Sequence, residues 1–200
     1  MGITNLDSLT LDSDLTVGGS ITGEVSAIGT AETAEHAGGA VGTGGSVTTY
    51  RYNLPNGDIC TEIQVDITGL GVKGDAANDV IGVVTDAPAA YIGRYVTATF
   101  GVVYKVEAIC LETPGEGTAT ITTDIDIAGN SAADLAYDGA AGSAECNFGG
   151  MAAGGVYSVT TPALTANDYL YLVEGDSAAS AGVYDAGQFV FRFYGHAVLS

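Results

Sequence analysis

ICTEIQVDIT, residues 59–68, alternates without a break: Ile59, Thr61, Ile63, Val65 and Ile67 fall on one face, and Cys60, Glu62, Gln64, Asp66 and Thr68 on the other. A period of two belongs to an extended strand with one side on a core and the other in water, and Gly69 ends it. The closing stretch GQFVFRFYG, residues 187–195, sets Phe189, Phe191 and Phe193 against Val190, Arg192 and Tyr194. Three of the five phenylalanines stack there, which predicts a strand at the centre of the core rather than at an edge. Between these two lie further candidates. Val80 to Val84 is a short apolar run, and Tyr91 to Leu111 is predicted to break near Gly101 into two strands. The first would carry Val96, Ala98 and Phe100 on one face, the second Val102, Tyr104, Val106 and Ala108. Ala119, Ile121, Thr123, Ile125 and Ile127 then alternate with Thr120, Thr122, Asp124 and Asp126, and Tyr169 to Val173 follows. Strand after strand with almost no 3.6-residue periodicity predicts an all-β domain over residues 47–200, an antiparallel β-sandwich or jelly roll. Residues 128–155, rich in Ala and Gly, read as a long loop anchored by Tyr137, Cys146, Phe148 and Met151.

Residues 1–46 differ in kind. They hold no Lys or Arg, and they end in AGGAVGTGGS, residues 37–46, a flexible linker by composition. Upstream, Leu9, Leu11, Leu15, Val17 and Ile21 supply short extended pieces that cannot bury an apolar side alone, so they are the candidate partner-binding residues of an extended N-terminal arm. TAETAEHA, residues 30–37, is helix-favouring but too short to stand unaided.

Composition excludes whole classes of function. A net charge of −19, from 24 acids against 5 bases, repels phosphate backbones and anionic lipid, so neither nucleic acid nor membrane surface is an expected partner. No apolar run reaches the length of a membrane span, and the first residues lack the basic start and apolar stretch of a secretory signal, which predicts synthesis in the cytoplasm. Cys60, Cys110 and Cys146 are odd in number, widely spaced and without a CxxC pair, and read as buried free thiols.

The chemical motifs are weak. GLGVKG, residues 69–74, fits GxGxxG after a strand, but no helix or βαβ pattern follows, so it reads as a hairpin turn and no cofactor is expected. His36 and His196 have no recognisable triad partners nearby in sequence, and no GxSxG elbow exists. Asp124 and Asp126 share one strand face. Among so many acids they read as solvated, ahead of calcium binding by loops such as Glu174-Gly175-Asp176 or Asp75 to Asp79 and, last, of a glycosidase pair. The expectation is a non-enzymatic protein with no metal site. Tyr137, Tyr157 and Tyr184, in loop-like sequence, are the residues on which an alternative function, recognition of host glycans by a tail-fibre or receptor-binding protein, would rest.

LTVGGSITG, residues 15–23, resembles the short units that begin many tailed-bacteriophage fibre and appendage proteins. The stretch from Ile67 through Gly93, with DYLYLV at 168–173 and the closing GQFVFRFYG, is similar in style and order to small acidic β-rich virion proteins of marine tailed phages. The likeness covers about two thirds of the chain. It implies a capsid decoration or head-fibre protein on the virion surface: a homotrimer whose β-sandwich stands on the shell while the arm contacts the major capsid protein or neighbouring subunits.

Overall fold

A computed structural model describes residues 46–74, 77–84, 89–115, 121–175 and 181–198. The arm residues Leu9, Leu11, Leu15, Val17 and Ile21, the stretch 30–37 and His36 lie outside them.

The chain is nearly all β. Its strands are β1 (Ser46–Asn53), β2 (Asp58–Asp66), β3 (Gly71–Val72), β4 (Tyr91–Arg94), β5 (Val102–Gly115), β6 (Ile125–Asn130), β7 (Ala144–Cys146), β8 (Val156–Val159), β9 (Tyr169–Glu174), β10 (Gly182–Val183) and β11 (Ala186–His196), with one helical turn, α1 (Thr97–Phe100), before β5. Five strands pair in the order β1-β2-β11-β5-β8, four in the order β4-β9-β6-β7, and β3 pairs with β10 at the side. Every ladder is antiparallel. With β1 set aside as an added edge, β2-β11-β5-β8 facing β4-β9-β6-β7 is the connectivity of an eight-stranded jelly roll, in which the first strand pairs with the last.

The core lies between the two sheets. Ile63, Val65, Phe189, Phe191, Val106 and Cys110 from one meet Ile92, Ile125, Ile127, Leu170, Leu172 and Cys146 from the other, all buried. The alternation of 59–68 sets the β2 register: Ile63 pairs with Phe191 and Val65 with Phe189, so the aliphatic and aromatic rows coincide on one face. The Phe strand β11 is the middle strand of five, as its composition predicts. All three thiols are buried and free.

Several expectations are corrected. Val96, Ala98 and Phe100 do not share a strand face, because residues 97–100 turn into α1. Phe100 drives that turn by meeting Phe193 edge-on at 5.2 Å. Thr99 O accepts hydrogen bonds from Arg51 Nε and Thr61 Oγ1, which use up a carbonyl that a ladder would otherwise need. Gly101, at φ +70°, ends the turn; a Cβ there would stand 2.5 Å from His196 O. The run Val80 to Val84 forms only isolated bridges, Val80 to Val173 and Gly82 to Gly71. Gly69 does turn the chain, at φ +86°, but no β2-β3 hairpin results, since β3 pairs with β10 instead. Residues 121–124 stay outside the ladder that begins at Ile125: Thr123 O accepts from the Met151 amide and Thr122 O from the Tyr184 hydroxyl. The stretch 128–155 is not all loop. It contains the end of β6 and β7, while Leu135 and Ala141 cover the outer side of the four-stranded sheet together with Val80 and Ala90.

Candidate functional site

That cover makes the two sheets unequal. The four-stranded sheet is buried on both faces, whereas the outer face of the five-stranded sheet reaches solvent at Gln64, Leu111, Val156 and Gln188. Register fixes which side chains share this open face, because directly paired residues point the same way. One row across the strands is Tyr52, Cys60, Tyr194 and Lys105; the next is Tyr50, Glu62, Arg192, Glu107 and Ser158. The polar positions read from 60–68 thus belong to a surface built by distant segments.

Tyr52, Leu54, Cys60, Glu62, Arg192 and Tyr194 line a cleft of about 390 Å³. Cys60 is its floor, and burial pushes the thiol up to about 11, so it stays protonated at neutral pH. Arg192 Nε donates to Glu62 Oε2 at 2.9 Å, and Glu62 Oε1 accepts from Gln64 Nε2 at 2.8 Å. That bond to Glu62 raises the guanidinium above its usual range and keeps it charged. The Tyr194 hydroxyl donates to Glu107 at 2.8 Å, and Lys105 Nζ sits 5.4 Å from the Tyr194 ring centre. Desolvation first, then the Glu107 bond, moves the Tyr194 phenol up to about 12. Lys105, 2.6 Å from Glu107 Oε1, holds that carboxyl below its ordinary value. A smaller depression of about 220 Å³, lined in part by Thr48, Gln64, Asp66, Leu111 and Gln188, continues the face along the strands.

A register irregularity between Tyr194 and Gly195 opposite β5 leaves Tyr104 as the extra residue, and its ring stacks on His196 at 4.6 Å. His196 Nδ1 lies 2.9 Å from Asp58 Oδ1, and the Tyr104 hydroxyl donates to Asp58 Oδ2 at 3.2 Å. The histidine hydrogen bond, ahead of the others, lowers the Asp58 carboxyl. Sequence proximity could not reveal this His–Asp contact, whose members lie 138 residues apart. An imidazole oriented by a carboxylate is two thirds of a triad, but the side chains that contact His196 are an acid and a phenol, and neither is a nucleophile of the serine or cysteine type.

The carboxylate pair is corrected. Asp124 precedes β6, and Asp126 is wholly buried rather than solvated, because β6 is an inner strand with both faces covered. Asp126 Oδ1 accepts from the Phe148 amide at 2.8 Å, while Oδ2 has no hydrogen-bond partner. Desolvation lifts this carboxyl to about 6, against the pull of the Phe148 and Gly149 amides and with help from the Asp124 charge. Glu174 is buried too, and among the described residues no three His, Cys, Asp or Glu side chains are placed to hold a metal ion. Asp75 and Asp176 fall outside the described residues. Of the loop tyrosines, Tyr184 is buried with its hydroxyl on Thr122 O, Tyr157 lies in β8 with its hydroxyl taking the Ala152 amide, and Tyr137 packs beside Gly71 and Gly82. No helix of the described residues is long and apolar enough to cross a membrane.

Comparison of the chain with protein-family models, with curated proteins and with solved structures gives no match.

Proposed function

We propose that the chain is a virion structural protein that decorates or cements a tailed-phage capsid as a symmetric oligomer, a homotrimer. Residues 1–46 contact the major capsid protein or neighbouring subunits, and the jelly roll stands on the shell. The observation that carries this reading is where the linker enters the fold. It runs directly into β1, which among the described residues is the edge strand added to the jelly roll and pairs with β2 alone. An edge strand continuous with a Gly-rich tether offers unpaired backbone groups to a second chain, and symmetry multiplies such contacts. The acidic, self-repelling surface and the resemblance of residues 15–23 to appendage-protein units support the same assignment. In this reading the protein is not an enzyme, takes no cofactor, and resides on the virion. Deleting residues 1–25 tests it: the truncated chain should melt cooperatively and fail to co-sediment with particles. Truncated protein that still decorates particles refutes the arm's role, and full-length protein absent from particles refutes the virion assignment.

A further inference from the structure

We propose that the cleft between Tyr52 and Tyr194 is a binding site for an uncharged saccharide, with a sugar ring stacked between the two phenols and its hydroxyls held by Arg192 and Glu62. Tyr52 and Tyr194 pair with the same residue, Cys60, from opposite sides. Their backbones therefore stand two strand spacings apart, about 10 Å. The two phenols thus rise from strands on either side of Cys60, with a space on the scale of one sugar ring between their backbones. The small Cys60 side chain on the middle strand is what leaves the gap open. The cleft volume of about 390 Å³ falls within the range of small-ligand sites.

The walls are preorganised. Tyr194 is fixed by its bond to Glu107 and backed by Lys105 from the strand on its far side, while Tyr52 is stacked with Tyr50 at 6.5 Å. Rings already held in place lose little entropy on binding.

Charge selects the class of ligand. A chain of net charge −19 repels anions at long range, while on this face Lys105 and Arg192 are already paired with Glu107 and Glu62, so a cation would have to compete with both bases for those carboxylates. An uncharged polyol avoids both penalties. It also matches the polar groups: Arg192 Nε is committed to Glu62 while the Arg192 side chain as a whole remains 40% exposed, and a sugar hydroxyl both donates to carboxylates and accepts from guanidinium. The position is suitable as well. Ser46, where the tether enters, pairs with Asp66, six residues along β2 from Cys60, a separation of about 20 Å. The tether therefore joins the sheet at the far end of β1 from the cleft.

The test is titration calorimetry of the full chain with neutral hexasaccharides of glucose, mannose, galactose and N-acetylglucosamine, beside a uronic-acid hexasaccharide as the anionic control. At least one neutral sugar should bind with a micromolar to millimolar Kd, and the uronic acid should not. Tyr52→Ala, on an edge strand and checked for an unchanged melt, should weaken binding at least tenfold. Tyr52→Phe should retain it, Arg192→Lys should weaken it several-fold, and Tyr157→Phe should bind as the parent does. No binding of any neutral sugar at millimolar concentration overturns the proposal, as does binding that Tyr52→Ala leaves intact. Sedimentation velocity supplies the remaining outcome: an oligomer that Tyr52→Ala dissolves, without sugar binding, makes this face a subunit interface and refutes the saccharide site.

Discussion

Asp126→Asn separates the titration of one buried carboxyl from the rest of an acidic protein. In the native state Asp126 is wholly buried and protonates near 6, against 3.8 as its ordinary value. Because the folded pKa lies above the unfolded one, its contribution to stability is full below 3.8 and is lost as pH rises through about 6. At about 1.4 kcal/mol per pKa unit, the complete swing is about 3 kcal/mol. Near the isoelectric point, pH 4.1, an acidic protein precipitates, so the usable window starts higher. Between pH 5 and pH 8 the linkage relation gives roughly 1.4 kcal/mol for this one group. The Asn side chain keeps Oδ1 for the Phe148 amide and puts an NH2 where Oδ2 stands, at a cost of about 1–3 kcal/mol that does not vary with pH. The observable is therefore the pH dependence of the difference between variant and parent. Urea unfolding at half-unit steps should show the variant gaining on the parent by roughly 1.4 kcal/mol from pH 5 to pH 8, equivalent to about 3–6 °C in Tm. The shift of Glu145, to which Asp126 does not contribute, is common to both chains and cancels. Parallel profiles would refute the burial argument, as would a carbon NMR titration placing the Asp126 carboxyl below 4.5.

Other perturbations probe other parts of the molecule. Gly195→Ala places a Cβ 2.1 Å from Phe100 O, backbone against backbone; it should cost more than about 3 kcal/mol in urea, whereas Gly57→Ala, with open space but φ +86°, should cost about 1 kcal/mol. Phe191→Ala empties a fully buried site on the central strand and should cost about 3–5 kcal/mol in the same assay. Tyr184→Phe removes the hydroxyl that donates to Thr122 O at 3.1 Å and should lower stability by about 0.5–2 kcal/mol, read from its unfolding midpoint. Glu145 is raised to about 7, by burial first and the Asp168 charge second, so Glu145→Gln should flatten the parent's loss of stability between pH 6 and pH 8.

The fold was legible wherever alternation and burial agree. In β2 and β11 every inward position is aliphatic, aromatic, Thr61 or one of Gly187 and Gly195, so the period of two survives tertiary packing. It misled at Val96 to Phe100, where β-branched residues have strand propensity but the energy of one aromatic contact and three saturated polar groups favours a helical turn. It misled again at Asp126, because alternation reports which residues share a face and not whether another segment covers that face. The cleft was illegible for a related reason. Tyr52, Cys60 and Tyr194 come together only through strand pairing across 142 residues of chain, and Tyr104 joins their face only through the irregularity in β5.

The central place of β11 governs how the protein can be made. Strand β2 has its partner on one side in β1, but the other side waits for residues 188–196, and β5 waits for the same segment. At a synthesis rate of about 5–20 residues per second, roughly 7–27 s separate the making of Cys60 from that of Gly195. Throughout that interval Ile63, Val65, Val106 and Ala108 lack the phenylalanine row that buries them. The five-stranded sheet consequently closes only once β11 is made, and slowly, because its decisive contacts are distant in sequence. A chain cut before Gln188 lacks the strand that joins both halves of the sheet and leaves two apolar rows uncovered.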